Sequence, residues 1–297
     1  MTCGSGPRGR FLGVSLKMYF DHRQTLDWAG RVAAIVADQA DRLEEVQVVV
    51  FPGFASLEAL ARVFAGGSVR LGAQNLASHE RGAFTGEVPA AALAQVGCAY
   101  VEIGHAERRR LFAEGDVEIQ GKLASAFRHR LTPLLCVGEP VEGSAEAAGA
   151  YCLRQLEATL GQVGPEHGPR PLVVAYEPVW AIGADRPASV AHIAQVCAAL
   201  RDWLARRRPG GRSLVVYGGS AGPGLLARLG AQVDGLFLGR SAHDPQAFGK
   251  ILSELSGCRP AGAAAGIGAA RAGPGRARAA ATVAQPKPTS TTSKEPS

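Results

Sequence analysis

The sequence has no C-x-x-C pair, no two cysteines within four residues of each other, and no apolar run approaching the roughly 18 residues that a transmembrane helix needs. These gaps exclude a clustered zinc site, a closely spaced disulfide framework and a membrane-spanning helix. The six cysteines, at 3, 98, 136, 152, 197 and 258, sit mostly inside apolar segments. They are expected to be small buried hydrophobes in a reducing compartment. Met1 to Arg10 carries charge but is not followed by an apolar core of signal-peptide type. The cytoplasm is therefore the expected location, with no membrane partner.

Net charge is also scarce where it would matter. The formal charge is +6, but Arg259, Arg271, Arg276, Arg278, Lys287 and Lys294, set against the single acid Glu295, together with Arg8 and Arg10, account for more than all of it. Residues 11–258 are close to neutral. A basic tail alone gives weak, salt-sensitive phosphate contact without base readout, so nucleic acid is not an expected partner.

What is present is a repeat. Residues 11–257 alternate short apolar, β-branched-rich runs with longer helical stretches. Strands are predicted at Phe11–Leu16, Val46–Phe51, Val69–Ala73, Tyr100–Gly104, Thr132–Val137, Leu172–Tyr176, Ser213–Tyr217 and Gly235–Gly239. Their unbroken apolar character is what a parallel strand covered on both faces requires. Helical patterns lie between them, as at Thr25–Asp38, Ser144–Leu160 and Ser189–Arg207. In the last of these, Ile193, Val196, Cys197, Leu200 and Leu204 recur at spacings of three and four. Strand then helix, eight times over, predicts an α/β fold of the (β/α)8 barrel type in a single domain of 11–257, where a doubly wound open sheet is the alternative. Residues 1–10 are expected to be a flexible arm. Residues 258–297, mostly Ala, Gly, Pro, Arg, Ser and Thr, are expected to be a disordered tail because they bury too little apolar surface to offset their ordering entropy.

In such a barrel, reactive groups gather at the C-terminal ends of the strands. The first strand exit carries Ser15 and Lys17, a cation placed to neutralise a phosphate. The fourth carries Gly104-His105-Ala106-Glu107-Arg108-Arg109. A histidine at a helix start has its pKa lowered by the helix dipole and can polarise a carbonyl as neutral imidazole. Glu107 and Arg108 are either an ion pair that positions Lys17 or first-turn charges. The sixth exit carries Glu177, a partly desolvated carboxylate with raised basicity. It is followed by Pro178, Val179, Trp180, Ala181, Ile182 and Gly183, a segment too apolar for an idle surface loop and composed as a lid. The seventh and eighth exits, Tyr217-Gly218-Gly219-Ser220 and Leu238-Gly239-Arg240-Ser241, have small residues that let backbone N–H groups converge on an anion.

Taken together, Lys17, GHAERR at 104–109, AYEPVWAIG at 175–183 and YGGS at 217–220 resemble the triose-phosphate isomerase family over about residues 11–255. The resemblance implies that Glu177 is the base that takes a proton next to a carbonyl, and that His105 polarises that carbonyl. It implies that Lys17 offsets negative charge, that Gly183, Ser220, Gly239 and Arg240 hold the phosphate mainly through backbone N–H groups, that Glu107 and Arg108 orient the site, and that the lid at 178–183 excludes water. No metal or organic cofactor is implied. The block GAFTGE at 82–87 looks like the family's dimer loop, so Thr85 is expected to reach a partner subunit near its Lys17 in a homodimer.

The sequence departs from the family pattern at four places: Ser15 replaces the usual Asn, Leu16 the usual Trp, Ala106 the usual Ser, and Arg240 a glycine. The smaller Ser15 leaves room for one extra hydroxymethyl group, and Gly239-Arg240-Ser241-Ala242 looks like the family's erythrulose-phosphate branch. Two substrates are therefore expected: triose phosphate, or a four-carbon ketose phosphate such as L-erythrulose 1-phosphate. A non-catalytic sugar-phosphate binder is the reading from another class.

Overall fold

The structure, a computed structural model, describes residues 9–164, 168 and 170–257. Eight parallel strands form a closed barrel in sequence order: β1 (Arg10–Ser15), β2 (Val46–Phe51), β3 (Val69–Ala73), β4 (Tyr100–Ile103), β5 (Thr132–Val137), β6 (Leu172–Tyr176), β7 (Ser213–Tyr217) and β8 (Gly235–Leu238), with β8 pairing back onto β1. Around them run α1 (His22–Asp38), α2 (Leu57–Val63), α3 (Ala90–Val96), α4 (Ala106–Leu111), α5 (Asp116–Arg128), α6 (Ala145–Ala158), α7 (Val190–Arg207), α8 (Leu225–Leu229) and α9 (Pro245–Gly257). No helix among the described residues is long and apolar enough to cross a membrane.

The strands form where the sequence is apolar on both faces because both faces are buried. One face of each strand meets the helices; the other fills the barrel with Phe11, Val49, Phe51, Tyr100, Leu134, Cys136, Val173, Ala175, Val216 and Phe237. Serine caps set two helix starts. Ser144 Oγ accepts from Ala147 N, and Ser189 Oγ accepts from His192 N, so each of these residues sits just outside the helix expected to include it. Four cysteines, Cys98, Cys136, Cys152 and Cys197, are buried and free, while Cys3 and Cys258 lie outside the described residues.

One boundary needs correcting. Arg10, expected in the flexible arm, is the first residue of β1. It is 1% exposed, and its guanidinium donates to Val233 O at 3.0 Å. The rest of the expected arm, to residue 8, and the tail from 258 fall outside the described residues.

The two-residue period of a strand decides which side chains enter the barrel. On β1 the inward series is Phe11, Gly13 and Ser15; on β4 it is Tyr100 and Glu102; on β6 it is Val173 and Ala175, continuing to Glu177 just past the strand. Three polar groups therefore cap a stack of apolar ones at the C-terminal mouth.

Candidate active site

That mouth opens into a cavity of 660 Å3 lined by Ser15, Lys17, His105, Glu107 and Glu177, and by the turns at 218–221 and 238–241. Its volume suits a small ligand.

Glu177 is 3% exposed, and its Oε2 has no hydrogen-bond partner among the described residues. It fits because the facing residue is glycine: a Cβ on Gly218 would lie 2.7 Å from Glu177 Cγ. Burial, joined by the negative charge of Glu102, pushes the Glu177 pKa up to about 8, against the opposing pull of Lys17. The Cys136 thiol on β5 hydrogen-bonds to it and is itself kept protonated, first by burial.

His105 is the residue that starts α4. Its Nδ1 accepts from the backbone N–H of Glu107 at 3.1 Å, so the ring proton belongs on Nε2. Nε2 lies 3.6 Å from Glu177 Oε2, close enough for both groups to flank one small ligand and too far for a direct hydrogen bond. Burial, and then the positive charge of Lys17, lower the His105 pKa to about 4.

Lys17 sits just past β1 at φ +50°, a conformation that costs a non-glycine residue energy and is held here by surrounding bonds. Its carbonyl accepts from Gln74 Nε2 at 3.0 Å, and its Nζ reaches Glu107 Oε1 at 2.5 Å. Burial opposes its charge, but the hydrogen bond and charge of Glu107, with Glu177 and Glu102 behind, raise its pKa. Lys17 is thus a fixed cation beside Glu177.

Arg108 is placed differently from Glu107. One residue further along α4, its side chain turns away from the pocket and pairs with Glu114, which also receives buried Lys122 at 2.5 Å. Glu107 alone makes the contact to Lys17.

The segment expected to act as a lid, 178–183, forms one short 3-10 turn, Val179–Ala181. Trp180 Nε1 donates to Glu139 Oε1 at 2.7 Å, and Val179 N donates to Glu139 O at 2.9 Å. At its end, Gly183 adopts φ +72°, a conformation glycine takes without strain. Ser220, expected to offer its N–H to phosphate, donates it to Ala181 O at 3.1 Å, and its Oγ donates to Ala184 O at 2.6 Å. Gly239–Ala242 form a second tight turn, whose opening N–H groups have no partner within the turn. The Arg240 guanidinium reaches across to Gly183 O at 3.4 Å, so its side chain as well as its backbone faces the cavity.

Two residues were not expected. Glu139 anchors the lid tryptophan. Glu102 is buried on β4 and accepts from Ser15 Oγ at 3.0 Å across the barrel. Burial pushes its pKa up to about 7, against the hydrogen bond from Ser15. The expected dimer loop, 82–87, is exposed throughout, and Phe84 stacks on His79 at 3.9 Å between ring centroids.

Comparisons with known proteins point to one family. A family model described as triosephosphate isomerase matches residues 10–255. The chain is 48% identical over 244 residues to L-erythrulose-1-phosphate isomerase of Pectobacterium atrosepticum, covering 82% of this chain and 94% of that protein. It is 41% identical over 220 residues to triosephosphate isomerase of Symbiobacterium thermophilum, covering 72% and 86% respectively. The crystal structure of triosephosphate isomerase from Bartonella henselae superposes with a TM-score of 0.69 at 26% identity, covering 82% of this chain and 98% of that one.

Proposed function

The chain belongs to the triosephosphate isomerase family, and from that premise we propose that this sugar-phosphate isomerase acts on a four-carbon ketose phosphate, interconverting L-erythrulose 1-phosphate and D-erythrulose 4-phosphate. The observation that carries the reading is Ser15. Its side chain is short and its hydroxyl is turned down to Glu102, so the space beside the reacting carbons stays open for one hydroxymethyl group. The 48% identity to the Pectobacterium isomerase supports the same substrate.

The chemistry moves two protons within the substrate, one between neighbouring carbons and one between their oxygens. Glu177 takes the proton from the carbon next to the carbonyl. The carbon–hydrogen electrons become the carbon–carbon double bond of an enediolate, and the carbonyl oxygen takes up the negative charge. His105 Nε2–H and Lys17 stabilise that oxygen. As the proton returns to the neighbouring carbon, the hydroxyl proton passes from its oxygen to the former carbonyl oxygen, which leaves the carbonyl shifted by one position. The turns at Gly183, Ser220, Gly239 and Arg240 hold the phosphate, and the lid at 178–183 keeps water from the enediolate. No cofactor enters this sequence.

Triose phosphate is the second reading, favoured by the intact base, imidazole and lysine and by the Symbiobacterium relative. Purified protein assayed on L-erythrulose 1-phosphate and on dihydroxyacetone phosphate decides between them. A higher kcat/KM on the four-carbon compound is expected, and a preference for the triose would overturn the proposal.

Arg240 supplies a separate prediction. Its guanidinium adds charge-assisted contacts that a glycine turn lacks. Arg240→Ala is expected to raise KM about tenfold or more and to change kcat much less; an unchanged KM would show that the side chain leaves the phosphate alone. The loop at 82–87, with Thr85 at its exposed tip, supports a homodimer in which it reaches the partner near Lys17. Light scattering is expected to give the mass of two chains, and a single-chain mass would refute this.

A further inference from the structure

Two inward-facing carboxylates, Glu177 and Glu102, follow the strand alternation to the mouth of the barrel, and the reaction above uses only the first. Glu102 is 4% exposed in the middle of an otherwise apolar strand, Tyr100-Val101-Glu102-Ile103. A buried carboxylate is costly, and strands covered on both faces rarely carry one without a reason. Its partner is Ser15, 87 residues away in sequence and directly on the pocket wall.

The direction of this hydrogen bond matters. Ser15 Oγ–H donates to Glu102 Oε2 at 3.0 Å. With its proton committed, the hydroxyl oxygen has only lone pairs left to offer the cavity. While Glu102 is ionised, a serine that would otherwise donate or accept is thereby held as an acceptor. The phosphate cradle lies at the β7 and β8 exits and the base at the β6 exit, so Ser15 on β1 is a polar wall available to the non-phosphate part of a ligand.

We propose that Glu102 is a specificity-determining positioning residue, which acts through Ser15 to present a fixed hydrogen-bond acceptor to the hydroxyl of the extra hydroxymethyl group of a four-carbon ketose phosphate. The inference rests on the four-carbon reading of the previous section. A triose phosphate has no such hydroxyl, so it leaves the acceptor unpaired in a desolvated pocket. A site built to hydrogen-bond a substrate hydroxyl discriminates against the analogue that lacks it.

Glu102 has a second influence, through charge. Glu177 faces His105 and Glu107 from the β4 exit, Lys17 from β1, Cys136 from β5, and Glu102 itself. Glu102 in turn faces Ser15 and Lys17 from β1, and Glu107 and Arg108 from α4. Among these, the negative charge of Glu102 is the largest contribution after burial that holds a proton on Glu177. Neutralising it stabilises the Glu177 anion and moves the acid limb of kcat/KM toward lower pH. A side chain that only filled space would leave that limb where it is.

The test compares wild type, Glu102→Gln, Ser15→Ala and the double variant on L-erythrulose 1-phosphate and dihydroxyacetone phosphate, with the pH profile of kcat/KM. Gln can turn its NH2 toward Ser15 and reverse the polarity of the hydroxyl; Ala removes the hydroxyl and little else, so it carries the test if the Gln variant folds poorly. Each single variant is expected to lower the four-carbon to three-carbon ratio of kcat/KM about tenfold or more. The double variant should lose no more than either single one, because both break one unit. Glu102→Gln should also shift the acid limb downward. An unchanged ratio in both single variants, with wild type preferring the four-carbon substrate, would overturn the role of Glu102 and leave the four-carbon reading intact. A wild type that prefers the triose overturns that reading, and this inference with it.

Discussion

Glu177→Gln should lower kcat/KM by roughly three to four orders of magnitude while binding of inorganic phosphate changes only a few-fold. General-base catalysis at one positioned group contributes about 10^2 to 10^4, and here the group is also the one poised to take the proton. Gln has the same shape, so the packing against Gly218 survives. What it lacks is a lone pair basic enough to take a proton from carbon. The carboxylate is well suited to that task, since burial and the charge of Glu102 bring its pKa to about 8 and its Oε2 has no hydrogen-bond partner among the described residues. The same shift fixes two signs. Below that pKa the group is protonated and cannot act, so the acid limb of kcat/KM should lie well above the usual carboxylate range. A carboxyl whose folded pKa exceeds its unfolded value binds more protons when folded, so stability falls as pH rises from about 4.5 through 8. Glu177→Gln has no such titration. It should match wild type near pH 4 and be the more stable protein at pH 9, by on the order of a few kcal/mol. A variant retaining turnover within tenfold would reject Glu177 as the base. If wild type itself showed no isomerisation to lose, the chain would instead be the non-catalytic binder.

Much of this was legible in the chain, and the reason is the barrel's own chemistry. A strand buried on both faces needs a continuous apolar run, and such a run announces itself; the eight predicted strands match the observed ones to within about one residue. That Glu177, His105 and Lys17 share one cavity was readable because each follows such a run, at the strand ends that a barrel gathers at its mouth. Glu102 was missed although it lies three residues before His105. A charged residue inside a doubly buried strand was the signal, but Ser15 was read only for its small size. The bond joining them spans 87 residues across the barrel axis, and no local pattern encodes it. Arg108 shows the opposite limit. Its place beside Glu107 in sequence suggested a shared task, but consecutive helical residues point about 100° apart, and Arg108 turns to Glu114 instead. Ser220 lies on the cavity wall in the turn after β7. Its donors are engaged with Ala181 and Ala184, which depends on where the lid rests and not on its own segment.

His105→Gln should cost roughly 10^2 to 10^3 in kcat, the usual effect of removing one donor aimed at a developing oxyanion, and it should leave the acid limb of kcat/KM with Glu177. The reasoning starts at the helix cap. The Glu107 backbone N–H must donate to Nδ1, so Nδ1 carries no proton and Nε2–H is the ring's only donor. That donor faces the cavity, 3.6 Å from the carboxylate it works with. Protonating the ring would place a hydrogen on Nδ1, against the Glu107 N–H, in a buried site that already holds Lys17. Burial and that charge accordingly lower the His105 pKa to about 4. The imidazole therefore stays neutral across the working range. As a weaker acid than imidazolium it donates its hydrogen bond without surrendering the proton in the ground state, and its acidity lies closer to that of the enediol it serves. Nitrogen NMR of the free protein is expected to show His105 as the Nε2–H tautomer from pH 9 down to about pH 5. A ring that titrates near pH 6.5, or that carries its proton on Nδ1, would contradict the cap-controlled mechanism even if Glu177 proved indispensable. Gln does not reproduce the arrangement: its acceptor and donor sit on one rotatable amide at the end of a longer, flexible stem, so accepting from the Glu107 N–H no longer fixes a donor at the Nε2 position. The loss should therefore fall on kcat with little change in phosphate affinity, and both substrates should suffer alike, since the oxygen being polarised is common to them.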